Sequence, residues 1–313
     1  MLTDTSIELR SPKASLAMRA ITWLMSKRMP IFPSEPESIR QMYYDRATPV
    51  DAPMPDKFET KYRVERWEAA GEPVVTLHPK SGPGAWHMLY FHGGGFVLPM
   101  FKEHWPLAAA MVDRLGCSIS LPLYPVVPEN TYSAADAQAD AAFAALAARH
   151  DPAKIVLNGD SAGGHMALSL ALRLTRAGGP QPSKLALFAP WLDQTAANPA
   201  IRAVEPDDIM LSVDGLHVCG EIYAGGRDPS SAECSPLFTS KDELALLPPT
   251  RIWTGRHDLF IVDSRTFTGK LREAGVDAKL YEYEAAPHVF MAITPTREAK
   301  DVFALLGEFL AQP

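Results

Sequence analysis

A serine with glycine two residues before it and two after it, Gly159-Asp160-Ser161-Ala162-Gly163, has the spacing of a nucleophile raised on a sharp strand-to-helix turn. At such a turn the serine backbone is strained, and the flanking positions lie so close that a Cβ on either would clash. The serine oxygen then sits near a helix N-terminus, whose free N–H groups favour developing negative charge. Alone the pattern is weak, because it arises by chance in about one chain of this length in ten. A second motif changes the balance. His92-Gly93-Gly94-Gly95-Phe96 is expected by chance in on the order of one such chain in several hundred. Consecutive glycines let backbone N–H groups converge on one point in space. Gly93, Gly94 and Gly95, with the N–H of Ala162 just after the serine, are therefore the expected oxyanion hole of an acyl-transfer reaction. A phosphate loop would carry lysine and Ser/Thr after the glycines, and here Phe96-Val97-Leu98 follow.

Such motifs need strands to hold them. Residues 62–67 and 73–78 read as a strand pair parted at Gly71, and residues 86–91 as a short apolar strand ending at the glycine cluster. Further strands are expected at 117–123, 154–157, 184–188, 251–254 and 278–283. Helical spacing covers 103–115 (ending at Gly116), 134–149, 161–176 (closed by Gly178 and Gly179), 264–274 and 296–311. This alternation predicts an α/β fold, a mainly parallel central sheet with helices on both faces. Active sites in such sheets lie beyond the C-terminal ends of the strands, where both motifs fall. Residues 15–29 read as an amphipathic helix that either covers a cleft or packs on the core. The proline-rich stretch 30–58 reads as an irregular linker.

The chain resembles the hormone-sensitive-lipase family of α/β-hydrolases, which includes many bacterial carboxylesterases. The resemblance is carried by His92–Phe96 in numbers 92–96, by Tyr124-Pro125-Val126-Val127-Pro128-Glu129 and by Gly159-Asp160-Ser161-Ala162-Gly163-Gly164. Pro190-Trp191-Leu192-Asp193, Ser235-Pro236-Leu237 and Ala286-Pro287-His288 complete it. These pieces occur in family order and span roughly residues 60–313. The resemblance implies ester hydrolysis, small or medium acyl groups, no metal or organic cofactor, and a helical cap from about 1–50 and 195–235 on a single α/β-hydrolase domain spanning 1–313.

In this fold the triad runs Ser, then Asp/Glu, then His, so the base lies late in the chain. Only His257 and His288 follow residue 250. His288 sits on a loop after the strand at 278–283, where the base belongs; relatives usually have glycine next, and this chain has Val289. Asp258 is the first carboxylate after the strand at 251–254 and is the expected acid, with Asp263 as the alternative. Relatives commonly have Asp-Pro-Leu at this point, and this chain has Asp258-Leu259-Phe260. The acid would accept the N–H of His288 and fix its tautomer. His165, four residues after Ser161, is expected to pack or hydrogen-bond, His92 to brace the glycine loop, and Asp160 to hold the elbow. Phe96, Trp105, Trp191, Met210 and Phe290 are candidate walls of an apolar pocket, and Asp193 a loop anchor.

Composition narrows the partners. With 30 basic and 37 acidic residues the formal charge is −7 and there is no long basic run, which argues against nucleic acid or an anionic membrane as the main partner. Apolar residues make up 47%, enough for a sizeable core. Cys117, Cys219 and Cys234 are too few and too irregular for a disulfide framework or a zinc site, which points to reduced thiols and a cytoplasmic protein. The apolar run 20–25 is too short to span a bilayer, and no small-residue cleavage site follows it. The expected partner is a small-molecule ester, with stable membrane insertion excluded and a homodimer allowed. The same machinery would also serve lactones or carbamates; a non-catalytic small-molecule receptor on this fold would be expected to lose a triad member.

Overall fold

The computed structural model describes residues 6–27, 35–82 and 84–312. Its strands are β1 (Ile7–Ser11), β2 (Arg63–Ala69), β3 (Glu72–His78), β4 (His87–Phe91), β5 (Ser118–Pro122), β6 (Ile155–Asp160), β7 (Lys184–Phe188), β8 (Thr250–His257) and β9 (Ala278–Pro287). They form one sheet in the order β1-β9-β8-β7-β6-β4-β5-β3-β2. Neighbours from β1 through β5 are parallel, and only the β2–β3 hairpin and its pairing to β5 are antiparallel. The central strands β4, β6 and β7 are buried along their whole length, as continuous apolar runs demand when both faces are covered.

The helices are α1 (Leu16–Met25), α2 (Pro36–Tyr44), α3 (Lys57–Lys61), α4 (His104–Leu115), α5 (Tyr132–Ala147), α6 (Ala162–Ala177), α7 (Ile201–Val204), α8 (Val213–Ala224), α9 (Lys241–Leu244), α10 (Ile261–Glu273) and α11 (Arg297–Ala311). Alternate strand residues face opposite sides. Leu89, Leu157 and Leu187 join a core with α5, α6, α8 and α10, whereas Met88, Val156 and Ala186 join a second core with α4 and α11. Glycines end α4 and α6 in the left-handed conformation, Gly116 at φ 63° and Gly178 at φ 63°, which satisfies the last turn without a Cβ penalty.

Several elements depart from the sequence expectation, among them the short helices α3 and α9. Within 30–58, read as an irregular linker, residues 36–44 form α2. Pro36 pre-sets the first turn, and Ile39 and Tyr43, one helical turn apart, are buried. The strand β1 was not expected at all; it is an edge strand with no apolar run, held parallel to β9. The helix expected at 15–29 is present from Leu16 to Met25 with Ser15 as N-cap, while Arg28, Met29, Pro30 and Pro33 lie outside the described residues. Its packing is slight: Met18 is buried, but Leu16 is 81%, Trp23 64% and Leu24 56% exposed.

Candidate active site

Strand order reverses at β4 and β6. From β4 the chain steps to β5 on one side, and from β6 onward it moves to the other, so the C-terminal ends of β4 and β6 flank a crevice. The glycine loop leaves β4 and Ser161 leaves β6 at this crevice. Ser161 has φ 55° and ψ −120°, a conformation L-residues rarely adopt. Its backbone is fixed from three directions: its N–H donates to the Phe188 carbonyl at 2.9 Å, and its own carbonyl accepts from Trp191 and His165.

The glycine spacing has the expected steric cause, with a refinement. A Cβ on Gly159 would lie 2.2 Å from the Gly163 carbonyl oxygen, so that glycine is required by the elbow itself. A Cβ on Gly163 would lie 2.0 Å from the Phe91 carbonyl oxygen, so the second glycine is required by the end of β4. A Cβ on Gly93 would lie 2.3 Å from the Asp160 carboxylate and 3.1 Å from the Ser161 Cβ. The glycine loop and the elbow are therefore packed backbone to backbone.

Gly94 (φ 128°) and Gly95 (φ 62°) turn the loop, and the Gly94 carbonyl accepts from Val97 and Leu98. Among the described residues, no acceptor is paired with the amides of Gly94, Gly95 or Ala162. The loop is braced from behind. The His92 Nδ1–H donates to the Gly93 carbonyl at 2.7 Å, and the Tyr124 hydroxyl donates to the His92 carbonyl at 2.7 Å while the two rings stack. Burial, then the neighbouring His104, pushes the His92 imidazole down to about 3, so it stays neutral. Asp160, fully enclosed, accepts from the Tyr90 hydroxyl and lies 3.5 Å from His104 Nε2. Burial raises its carboxyl, but His104, Tyr90 and His92 outweigh that and hold it below the usual range.

His288 and Asp258 meet where β8 and β9 end. His288 Nδ1 donates to Asp258 Oδ2 at 2.9 Å, leaving Nε2 directed elsewhere. Asp258 is completely buried; it also accepts from Thr254 Oγ1 at 3.3 Å and from the Phe260 amide at 2.9 Å, so the charge is shared by a ready-made set of donors. Burial pushes the His288 imidazole down, but Asp258 first, then Asp208 and Asp160, hold it above its ordinary value. Asp263 instead accepts from Asn198 Nδ2 at 3.1 Å on α10. Val289, where relatives usually have glycine, adopts φ 49°, a left-handed conformation that favours glycine, so the valine bears strain.

The pocket-wall candidates divide. Phe96 stacks on Tyr223 at 3.8 Å and lies against Trp191, which stacks on Phe260, which meets His288 edge-on at 5.1 Å. Met210 is partly buried against the same core. Trp105 and Phe290 belong to the second core: the Trp105 indole N–H donates to the Ala52 carbonyl beside Phe58, and Phe290 packs on Tyr283. Those two therefore lie on the other face of the sheet from the Phe96–Trp191–Phe260 array. His165 is engaged by Tyr223, Gln194 and the Trp191 carbonyl, and Asp193 by Thr195.

Three residues near the site have roles that the sequence does not assign. His104 faces Asp160 without a diagnostic neighbour in sequence, and Tyr124, quoted above only as part of a family segment, covers His92. Arg46, from the stretch after α2, donates to the Val97 and Val127 carbonyls and pairs with Glu129 at 2.6 Å, so it staples the far end of the glycine loop. Among the described residues there is no group of three or more His, Cys, Asp or Glu placed to hold a metal, and no helix long and apolar enough to cross a membrane.

A family model described as alpha/beta hydrolase fold matches residues 88–292. An esterase of Acinetobacter venetianus is 32% identical over 225 residues, covering 71% of this chain and 73% of the relative. An acetyl-hydrolase of Streptomyces hygroscopicus is 28% identical, over 71% of this chain and 74% of its own. The solved structure of an esterase from the bacterial hormone-sensitive lipase family superimposes with a TM-score of 0.80 at 25% identity, over 95% of this chain and 98% of that one. With a matched segment that contains the glycine loop, the elbow, Asp258 and His288, the chain belongs to the α/β-hydrolase fold family and is an esterase/lipase of that family.

Proposed function

We propose that this enzyme hydrolyses short- to medium-chain carboxylic esters through an acyl-enzyme formed on Ser161, with His288 as base and Asp258 as its partner. The observation that carries the reading is the 2.9 Å hydrogen bond from His288 Nδ1 to a buried carboxylate, on loops that share the sheet edge with a serine in a strained elbow. His288 Nε2 takes the Ser161 proton as the oxygen attacks the ester carbonyl. The amides of Gly94, Gly95 and Ala162, unengaged by the described chain, receive the oxyanion, and Gly93 shapes the loop. The alcohol leaves with the proton from His288, and water activated by the same imidazole frees the acid. Phe96, Trp191 and Met210 remain the candidate acyl-pocket walls. The cap is assigned to about 1–50 and 195–235, where α2 and α8 pack together and Arg40 pairs with Glu221.

The base works only when neutral. Because the net effect of its neighbours raises His288 above 6.5, turnover falls as pH drops through a value above that of a free histidine. Hydrolysis of p-nitrophenyl acetate and butyrate by Ser161→Ala and His288→Ala is expected to fall at least about 10³-fold, with His165→Ala retaining activity. Equal turnover by wild type and Ser161→Ala would overturn the proposal. A panel of acyl lengths and lactone ring sizes then defines the substrate class.

A further inference from the structure

A third carboxylate approaches the acid–base pair from a different part of the chain. Asp208 lies just after α7, in the stretch that leads to α8. Its Oδ1 accepts the amides of Met210 at 2.8 Å and Leu211 at 2.9 Å, which folds its own segment around it. Its Oδ2 accepts the amide of Leu259 at 2.9 Å, the residue directly after Asp258. A proline at 259, as in the Asp-Pro-Leu of relatives, would have no N–H to give. The departure from that pattern is what supplies the donor here.

We infer that Asp208 is a positioning residue for the catalytic pair, fastening the 205–212 segment to the acid loop and placing a second negative charge toward His288. This rests on His288 being the base of ester hydrolysis. The charged groups that face Asp208 are Asp258 and His288. On its own stretch Glu205 is engaged by the Val213 amide and Arg202, and Asp207 is exposed. On α10, Asp263 is turned to Asn198. His288 in turn faces Asp258, Asp208 and Asp160. Burial, and then Asp258, push the Asp208 carboxyl up to about 6, so it is mostly ionised in the range above 6.5 where His288 loses its proton. Asp208 therefore adds to the hold on the imidazolium at the pH where the acid limb of activity lies.

The test is the pH profile of kcat/KM with p-nitrophenyl butyrate. Asp208→Asn keeps the shape and removes the charge, and the acid limb is expected to move to lower pH by about half a unit. A residue that only tethered the loop would lower turnover at every pH and leave the limb where it was. Leu259→Pro is the second variant. It deletes the donor, and position 259 is the second residue of a turn closed by the Ile261 amide on the Asp258 carbonyl at 3.0 Å, a place where proline is favoured. It weakens the grip on the charged carboxylate, so its limb is expected to move in the same direction by less. A limb that stays fixed in Asp208→Asn, or in Leu259→Pro should the first variant fail to fold, overturns the inference. Failure of the underlying reading looks different: Ser161→Ala and His288→Ala would then retain turnover.

Discussion

The elbow and the first helix are opposite ways of building structure. Around Ser161 the contacts are backbone on backbone: a Cβ at Gly159 would lie 2.2 Å from the Gly163 carbonyl oxygen, and one at Gly163 2.0 Å from the Phe91 carbonyl oxygen. Helix α1 is attached by a few side chains instead. Ser15 binds Glu298 through both its amide and its hydroxyl, Met18 is buried, and Leu16, Trp23 and Leu24 face outward. Where backbones touch, the residue type is dictated. Where side chains do the holding, many sequences serve.

That contrast can be tested directly. Gly163→Ala is expected to have the largest effect, because the new methyl meets the Phe91 and His92 carbonyls at 2.0 and 2.6 Å and neither strand nor helix has room to yield. The loss should exceed about 4 kcal/mol, read as a collapse of the thermal transition or absence of soluble folded protein. A stably folded Gly163→Ala would show that the elbow is less rigid than its geometry implies. Arg46→Ala sits between the extremes. It strips donors from the Val97 and Val127 carbonyls and leaves Glu129 unpaired. About 2 kcal/mol of stability should be lost in denaturant unfolding, together with a fall in kcat, because the carbonyls it holds flank the oxyanion loop. An unchanged kcat would confine Arg46 to stability. Trp23→Ser should be smallest, within about 0.5 kcal/mol by thermal melting, since the ring lies mostly in solvent, with Lys27 5.5 Å from its centroid. A larger loss would mean that α1 is anchored through that ring.

The same division explains what could be read in advance. The central strands and the helices α4, α5, α6, α10 and α11 were legible because burial on both sheet faces forces apolar runs and 3.6-residue stripes. Helix α2 was missed although Pro36, Ile39 and Tyr43 carry its signal, because the prolines around it read as continuous punctuation. Strand β1 had no signal to find: its side chains alternate between exposed and half-buried at a sheet edge, and only β9 gives it a partner. At the candidate site, Ser161, the glycines, Asp258 and His288 were singled out by local spacing and chain order, and the structure places Asp258 against His288. Sequence could not separate Trp105 and Phe290, in the second core, from Phe96 and Trp191, in the first, because an aromatic residue looks the same whichever face of the sheet it covers.

The sequence by itself determined the strand–helix alternation and the two glycine motifs, which depend on neighbours a few positions apart, and the chain order of the proposed catalytic residues. Only the tertiary structure decided that β4 and β6 lie side by side, that Asp258 and not Asp263 meets His288, and that Arg46 and Asp208 reach loops far from them in the chain. Those pairings are set by how helices of given thickness pack on a twisted sheet. They are sums over many distant contacts, and no local pattern of residues encodes them.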